Sequence, residues 1–515
     1  MRKSHPAAFR SLKRHLVLGG WIKNVGLVLL SELQRVDFLT HLPILGGLLK
    51  VVRGLVFGHI TEALLSQKSW STSETYVKQS GSNESVVYVD TLIIGSGPGG
   101  AVAAQHESTS GNLLVLERGL PPRTSHKAHH NLVHVMNDFN LAGQELILSP
   151  NIPQFAQASV IGGGSEVNSG LYHKLPEKIK DEFISKLNLT ENQWNESEDR
   201  IESWLNPELM DVHSSQSVIA QGATSLGIEN INVPRWRTYD TNGNFSHRGM
   251  IETFWSKFIN DSTHRIQFGV EVRKINTRDK NYVSVTGYDH QTRTEVEFRA
   301  NRVHVSAGPI STPFLLAKSG LIRWSSTSFQ WHPMIRVIAR TPEAMLGWND
   351  IDPFQAWTSD RKLKFGSAVS TPSLLAINLQ KVISDQESRS LRSYYVSFSS
   401  TGKGGLVPHA SLPWYRYSEA DRNLSSKGLD MLIQLVRSGG GEVLNVDELN
   451  PMKQSTVHIF GSLPADSANF ASGTCRLSCD ERVLVSDGSL LPMGPGVNPQ
   501  AVIMTTVDAL LKVSL

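Results

Sequence analysis

The hydrophobic pattern of this chain is clearest over Tyr88–Arg118. An apolar, β-branched run from Val86 to Ile94 predicts a buried strand. A cluster of glycines follows, then an alanine-rich segment that predicts a helix, and then a second apolar run that ends in Glu117. The predicted order is therefore strand, tight turn, helix, strand and acid.

Further along, the pattern changes period several times. Helical spacing with several tryptophans covers Glu177–Asp240, and strand alternation covers His264–Gly308 in the runs IQFGVEVRKI, YVSVTGYD, TEVEFRA and RVHVSAG. These runs predict an antiparallel meander that returns to the first sheet. A short helix with Thr312-Pro313 at its start is predicted next, and a polar helix over Glu419–Ser438.

The glycine cluster has the spacing of a dinucleotide-binding turn. Gly95 permits the tight turn, Gly97 lets the backbone approach a pyrophosphate, and Gly100 lets the helix pack close to the strand. The N-terminus of the following helix presents unpaired N–H groups and a partial positive charge to that anion. Glu117, about 20 residues further on, has the position of a carboxylate that accepts a hydrogen bond from a ribose hydroxyl. Together these features predict dinucleotide binding.

A second glycine-rich stretch, QASVIGGGSEVNSGLYHKLP, covers Gln157–Pro176. A plain turn would explain one or two glycines, but not three in a row followed by Asn168, Ser169 and Gly170. We interpret this stretch as backbone that must pass very close to a large ligand.

Composition limits the remaining possibilities. With 515 residues the chain is long enough for two or more domains. A net charge of +3 is too small to indicate a nucleic-acid partner. Cys475 and Cys479 provide neither a disulfide framework nor a four-ligand metal site. Their spacing suits either a redox pair or two ordinary thiols; we favour the thiols, which suit a reducing, cytoplasmic location.

Residues 1–68 differ from the rest of the chain, with ten Lys/Arg against three Asp/Glu and apolar residues at helical spacing. Such a basic amphipathic region suits peripheral contact with an anionic membrane or with a partner subunit. A helical layer folded over the main domain explains the pattern equally well, and both readings stay open. No segment has the uncharged length that a bilayer span requires; the nearest, Leu42–Phe57, contains Lys50 and Arg53.

A histidine-rich loop follows Glu117 and contains His126, His129, His130 and His134. No cysteine or carboxylate accompanies these histidines, so we expect a surface loop near the ligand rather than a metal site.

Four blocks of the sequence stand out together. They are the turn Gly95–Gly100 with Glu117, GGGSEVNSGLY at Gly162–Tyr172, SAGPISTPFLLAKSG at Ser306–Gly320, and VSDGSLLPMGPGVNPQAVIMTTVDA at Val485–Ala509. In this order they resemble the glucose–methanol–choline (GMC) family of FAD-dependent oxidoreductases. The resemblance covers roughly residues 88–515 and says nothing about the first 85.

The resemblance implies an α/β fold in which a Rossmann-type FAD-binding domain is interleaved with an α+β substrate domain built on an antiparallel sheet. We expect the FAD-binding domain to comprise 86–176, 241–325 and 455–515. The substrate-binding domain would comprise 177–240 and 326–454, after a basic N-terminal helical extension and linker over 1–85.

It also implies the residues of the site. The cofactor would contact Gly95, Gly97, Pro98, Gly99, Gly100, Glu117, Arg118, Gly162, Gly163, Gly164, Asn168, Ser169, Gly170, Val272, Ala307, Gly308, Asp487, Gly488, Asn498 and Pro499. The catalytic pair would be His458, in the run VHIFGS, and Asn498, in GVNP.

The function implied is oxidation of a primary or secondary alcohol to an aldehyde or ketone, with hydride transfer to flavin N5. His458 would take the hydroxyl proton, since imidazole titrates near neutral pH, and Asn498 would orient the oxygen. The electron acceptor would be O₂ or another carrier. Two alternatives stay open: a lyase or isomerase that keeps FAD without net redox turnover, and a non-catalytic flavin-binding subunit. The substrate is not predicted, because Trp236, Trp331 and Trp414 could line a pocket or fill a core.

Overall fold

The computed structural model describes residues 86–121, 138–236, 249–256, 264–341, 351–370 and 372–515. The predicted N-terminal extension over 1–85 lies outside these residues, and so do His126, His129, His130 and His134. No helix within the described ranges has the length and apolar character needed to span a membrane.

The described strands, in chain order, are β1 (Val86–Ile94), β2 (Leu113–Glu117), β3 (Glu145–Leu146), β4 (Gln154–Phe155), β5 (Glu229–Asn232), β6 (His264–Phe268), β7 (Val270–Asn276), β8 (Val283–Asp289), β9 (Thr294–Val305), β10 (Gln330–Trp331), β11 (Met334–Arg340), β12 (Phe354–Trp357), β13 (Lys364–Ala368), β14 (Leu391–Ser397), β15 (Lys403–Leu406), β16 (Pro413–Arg416), β17 (Glu442–Val443), β18 (Ser455–Thr456), β19 (Ile459–Phe460), β20 (Arg476–Leu477) and β21 (Asp480–Val485).

The described α-helices are α1 (Pro98–Glu107), α2 (Gly164–Val167), α3 (Glu177–Lys186), α4 (Glu191–Leu205), α5 (Val218–Ser225), α6 (Gly308–Lys318), α7 (Pro372–Leu379), α8 (Asp385–Ser390), α9 (Glu419–Ser438) and α10 (Gln500–Ser514). The predicted strand at Val86–Ile94 and helix at Glu419–Ser438 have the bounds that the sequence indicated.

The first sheet has the order β20-β21-β9-β1-β2-β6, with β8 joining β9 to β7. Strands β21, β9, β1, β2 and β6 run parallel, as a doubly wound sheet requires. Leu92 to Ile94 and the whole of β2 are buried, because these strands lie at the centre of the sheet. Helix α1 packs on β1 and β9, and α10 packs on α1.

The predicted meander is present as β7, β8 and β9, with two differences in detail, and the helix that follows it begins earlier than predicted. TEVEFRA and RVHVSAG form the single strand β9, which pairs with β8 through its first half and with β21 through its second. The run IQFGVEVRKI breaks at Gly269, where φ is +72°, and β6 pairs in parallel with β2 instead. The helix expected to begin at Thr312-Pro313 begins at Gly308, with Pro309 in its first turn and Pro313 inside it.

The second sheet is mainly antiparallel and has the order β3-β4-β18-β11-β14-β13-β12-β5, with β17 beside β11. One of its faces packs on α5 and α9 through an apolar cluster that includes Ile335, Val337, Phe365 and Val396. The domain boundaries stay a prediction. Strands β3, β4 and β18 lie in ranges that were expected to belong to the FAD-binding domain, and they contribute to this second sheet.

The two cysteines differ in exposure: Cys475 is a buried free thiol and Cys479 is an exposed one.

A buried polar network joins α1 to the first sheet. Arg302 Nη1 donates to both carboxylate oxygens of Glu107, at 2.7 and 3.0 Å, and Thr91 Oγ1 donates to Oε2 at 3.1 Å. His304 Nε2 lies 3.0 Å from Glu107 Oε1, and its Nδ1 lies 3.0 Å from Ser486 Oγ. Burial by itself raises the pKa of Glu107, but the hydrogen bonds and charges of His304 and Arg302 outweigh it and lower that pKa to about 2.

Glu107→Gln leaves the partners of this carboxylate without their negative charge. We expect it to reduce the free energy of unfolding at pH 7 by about 3 kcal/mol, measured by urea denaturation. In the wild-type protein the contribution of Glu107 is complete above its ordinary pKa of 4.5 and is lost as the pH falls toward about 2, so the variant should lack that part of the acid dependence.

The matched control is Glu442→Gln, which breaks an exposed ion pair with Arg340. It should change stability by less than about 1 kcal/mol. Equal losses in the two variants would contradict the assigned role of Glu107.

Candidate active site

Three glycines of the first turn are required by close backbone packing. A β-carbon at Gly95, Gly99 or Gly100 would lie within 2.3 Å of a backbone oxygen. These oxygens belong to Ser306, Ser486 and Gly95, respectively. Gly97 differs, because a β-carbon there would meet no protein atom within 4 Å and would enter open space.

That open space is a cavity of about 830 Å³ that extends from the turn to the second sheet. It has the size of a ligand pocket. Of the residues that the sequence predicted for the site, the cavity is lined by Gly95, Gly97, Pro98, Gly99, Glu117, Arg118, Gly163, Gly164, Asn168, Ser169, Gly170, Val272, Ala307, Gly308, His458, Asp487, Gly488, Asn498 and Pro499. Gly100 and Gly162 do not line it; Gly100 lies instead against the backbone of Gly95.

Glu117 at the end of β2 fixes the shape of the turn. Its Oε2 accepts hydrogen bonds from the backbone N–H of Ser96 at 2.9 Å and from Ser96 Oγ at 2.6 Å, and its Oε1 accepts from the N–H of Gly119 at 2.7 Å. The carboxylate is buried and still borders the cavity. Glu117 therefore stabilises the turn through these hydrogen bonds, independently of any contact with a ribose.

The second glycine stretch touches the first. Gly163 has φ +55°, and a β-carbon there would lie 3.0 Å from Cα of Gly97. Asn168 Oδ1 accepts from the N–H of Gly170 at 2.9 Å, and Asn168 Nδ2 donates to Gln500 Oε1 at the start of α10. Both glycine segments thus present main chain to one end of the cavity.

Asp487, which follows β21, fixes the start of α6 at the cavity wall. Its Oδ2 accepts from the N–H of Gly308 at 2.8 Å and from Thr312 Oγ1 at 2.6 Å, while Oδ1 accepts from the N–H of Ser489 at 2.8 Å. Burial raises the pKa of this carboxyl group, and these hydrogen bonds oppose the rise.

His458 lies between β18 and β19, on the cavity wall formed by the second sheet. Its Nδ1 is 3.4 Å from Nδ1 of His332, and the two rings meet edge to face with centroids 5.5 Å apart. Burial lowers the pKa of His458 well below its usual value, and the electrostatic effect of the neighbouring His332 and Lys364 lowers it further. The imidazole is therefore neutral at pH 7 and able to accept a proton.

Asn498 receives a hydrogen bond that the sequence did not predict. Lys364 Nζ, from β13, donates to Asn498 Oδ1. Lys364 is buried, and burial lowers its pKa to about 7. With Oδ1 occupied, the Nδ2 donors of Asn498 are available to the cavity.

Sequence reasoning missed Lys364 and His332, and the tryptophans it considered do not line the cavity. Trp236 and Trp331 are buried in the core, and Trp414 is 37% exposed. The signal for Lys364 is weak, because a lysine in an alternating strand usually faces water.

Comparison with known proteins agrees with this geometry. Residues 89–334 match the family model described as GMC oxidoreductase. An uncharacterized GMC-type oxidoreductase, y4nJ of Sinorhizobium fredii (strain NBRC 101917 / NGR234), is 24% identical over 479 residues, covering 83% of this chain and 94% of that protein. Long-chain-alcohol oxidase FAO4A of Arabidopsis thaliana is 21% identical over 503 residues, covering 81% of this chain and 67% of that protein.

Among solved structures, the crystal structure of pyridoxine 4-oxidase from Mesorbium loti has a similar fold, with a TM-score of 0.64. The superposition covers 82% of this chain and 98% of that one, at 14% sequence identity. The family model, the aligned relatives and the shared fold agree with the four sequence blocks and the paired glycine segments. The chain belongs to the GMC oxidoreductase family, whose members are FAD-dependent.

Proposed function

We propose that this protein oxidises the CH–OH group of a small-molecule alcohol to an aldehyde or ketone. The observation that carries the proposal is that His458 and Asn498 lie on the same cavity as the two glycine segments, with Lys364 bonded to Asn498 and close enough to lower the pKa of His458. The oxidases among its relatives support the reaction class. The electron acceptor is O₂ or another carrier.

The cavity suits FAD because its glycine end offers main chain without side chains. Gly97 opens onto the cavity, and α1 begins there without a side-chain cap, so its first N–H groups are available to a diphosphate. The proposed contacts follow the family order: Gly95, Gly97, Gly163 and Gly164 at the diphosphate, Glu117, Arg118 and Val272 at the adenosine, Asn168 and Ser169 along the flavin, Asp487 and Gly488 at the ribityl chain, and Asn498 and Pro499 at the pyrimidine. FAD supplies the hydride acceptor when bound.

In this proposal His458 is the general base. Its Nδ1 faces His332, which leaves Nε2 for the hydroxyl proton of the substrate. The low pKa keeps the imidazole unprotonated before the reaction, so the base is ready over a wide pH range above its pKa.

Asn498 and Lys364 would act on the substrate oxygen together. Since Lys364 occupies Oδ1, Asn498 presents N–H donors, which stabilise an oxygen that loses its proton. The buried positive charge of Lys364 adds to this effect when the amine is protonated. Lys364 is therefore a positioning residue that acts through Asn498.

The reaction is tested by anaerobic mixing of the FAD-loaded protein with sugars, aminosugars, sterols, and aliphatic and aryl alcohols with and without a carboxylate. We expect at least one class to bleach the visible flavin absorbance. In His458→Ala the protein should retain FAD and reduce it at least about 100-fold more slowly, because the general base is absent.

His213→Ala, which changes an exposed histidine, should leave the rate unchanged. Full reduction at the normal rate in His458→Ala would end the assignment of the base. Conversion of a substrate while the flavin stays oxidised would favour the lyase or isomerase alternative.

The cofactor site is tested by two glycines with different surroundings. Gly97→Ala should leave the stability of the FAD-free protein unchanged and weaken FAD binding at least about tenfold, because its β-carbon meets only the cavity. Gly100→Ala should destabilise even the FAD-free protein, because its β-carbon would lie 2.2 Å from the oxygen of Gly95. Thermal unfolding and FAD titration measure both; undiminished FAD affinity in Gly97→Ala would contradict the proposed placement.

The role of Lys364 is tested by the pH dependence of flavin reduction. Removing this positive charge in Lys364→Met makes protonation of His458 easier, so its pKa rises and the acid-side fall in rate moves to higher pH. Lys362→Met, an exposed neighbour, should leave the profile in place. An unshifted profile in Lys364→Met would show that Lys364 does not act on the catalytic pair.

A further inference from the structure

The face of the second sheet that borders the cavity carries a guanidinium group beside a phenol. Met334 and Arg336 of β11 and Ser393 and Tyr395 of β14 line the cavity, and the intervening residues of both strands pack against the helical layer. Arg336 and Tyr395 are directly paired across the two strands. Strand alternation therefore places both polar groups on the substrate side.

Among the residues that the structure describes, most hydrogen-bond donors of Arg336 have no oxygen partner. Nη1 donates to Ser455 Oγ, and Nη2 lies 3.6 Å from Sδ of Met334, a weak acceptor. A guanidinium has five N–H donors. Within the ranges that the structure describes, no carboxylate forms an ion pair with Arg336, and burial lowers its pKa.

The acidic residues that line the cavity have other partners. Glu117 binds the first turn, Asp487 binds the start of α6, and Glu271 lies 3.5 Å from Arg273 at the opposite end. Lys364, on the same face of the sheet as Arg336, bonds to a neutral amide. The substrate end of the cavity thus holds positive groups without a described counter-charge, an arrangement that an anionic ligand would stabilise.

We propose that the alcohol substrate bears a carboxylate, which Arg336 binds while the carbinol carbon faces His458 and Asn498. The planar fork of arginine matches the two oxygens of a carboxylate. Tyr395 Oη accepts from Gln355 Nε2 at 3.3 Å and keeps its own hydrogen for the same carboxylate, since burial raises the pKa of the phenol. This inference rests on the proposed function and specifies its substrate class.

The test is a binding measurement that needs no turnover. Benzoate and hexanoate are titrated into the FAD-loaded protein, each beside its uncharged amide, benzamide or hexanamide, and perturbation of the flavin absorbance reports the Kd. We expect at least one of the two carboxylates to bind at least about tenfold more tightly than its amide. Arg336→Gln should reduce that preference to within about twofold.

Two further variants separate recognition from folding. Arg336→Lys keeps the charge without the fork, so its preference should be intermediate, and it serves if Arg336→Gln does not fold. Arg340→Gln, on the same strand but exposed and paired with Glu442, should retain the full preference.

Equal affinity for each carboxylate and its amide in the wild-type protein would overturn the inference, and so would failure of both carboxylates to bind. A preference that survives in Arg336→Gln, or in Arg336→Lys if the glutamine variant is unfolded, would also overturn it. Because flavin bleaching by alcohols is measured separately, a protein that oxidises alcohols and shows no carboxylate preference would keep the proposed function and lose this inference alone.

Discussion

The structure depends on close contact between main chains at the first glycine turn, Gly95–Gly100. Gly95, Gly99 and Gly100 each occupy a place where a β-carbon would overlap a carbonyl oxygen, and Gly163 meets Gly97 in the same region. Four distant segments therefore converge on a few ångströms of backbone. The first sheet, the start of α1 and the cavity wall all take their positions from this contact, because a side chain at Gly95 or Gly99 would force the segments apart and one at Gly100 would distort the turn itself.

Charge is distributed unequally along the cavity that results. At the end lined by the two glycine segments, the carboxylates of Glu117 and Asp487 accept hydrogen bonds from backbone N–H groups and hydroxyls. At the second sheet, Arg336 and Lys364 have neutral partners only among the described residues. The protein itself thus supplies the partners of the charged groups at one end, whereas the other end holds two cationic groups without a described counter-charge.

The sequence predicted those parts of the molecule whose signal is local. The strand at Val86–Ile94 and the helix at Glu419–Ser438 follow from hydrophobic period, and the helix also has a capping box formed by Ser418 and Asp421. The start of α6 at Gly308 was missed because a long-range hydrogen bond to Asp487 stabilises it there. The merging of two runs into β9 likewise depends on its partners β1, β8 and β21.

The site shows the same limit. Glycine spacing singled out residues that line one end of the cavity, and the resemblance supplied His458 and Asn498, which also line it. Lys364, His332 and Arg336 were not predicted, because each is a polar residue in or near an alternating strand whose buried face only the tertiary structure reveals.

The contact between Gly99 and the carbonyl of Ser486 has a consequence for synthesis of the protein. The ribosome releases the residues of the turn several hundred residues before the segment that closes over them. Strand β21, which precedes that carbonyl, also completes the parallel register beside β9. The packing of the turn therefore stays incomplete until the C-terminal segment has been translated.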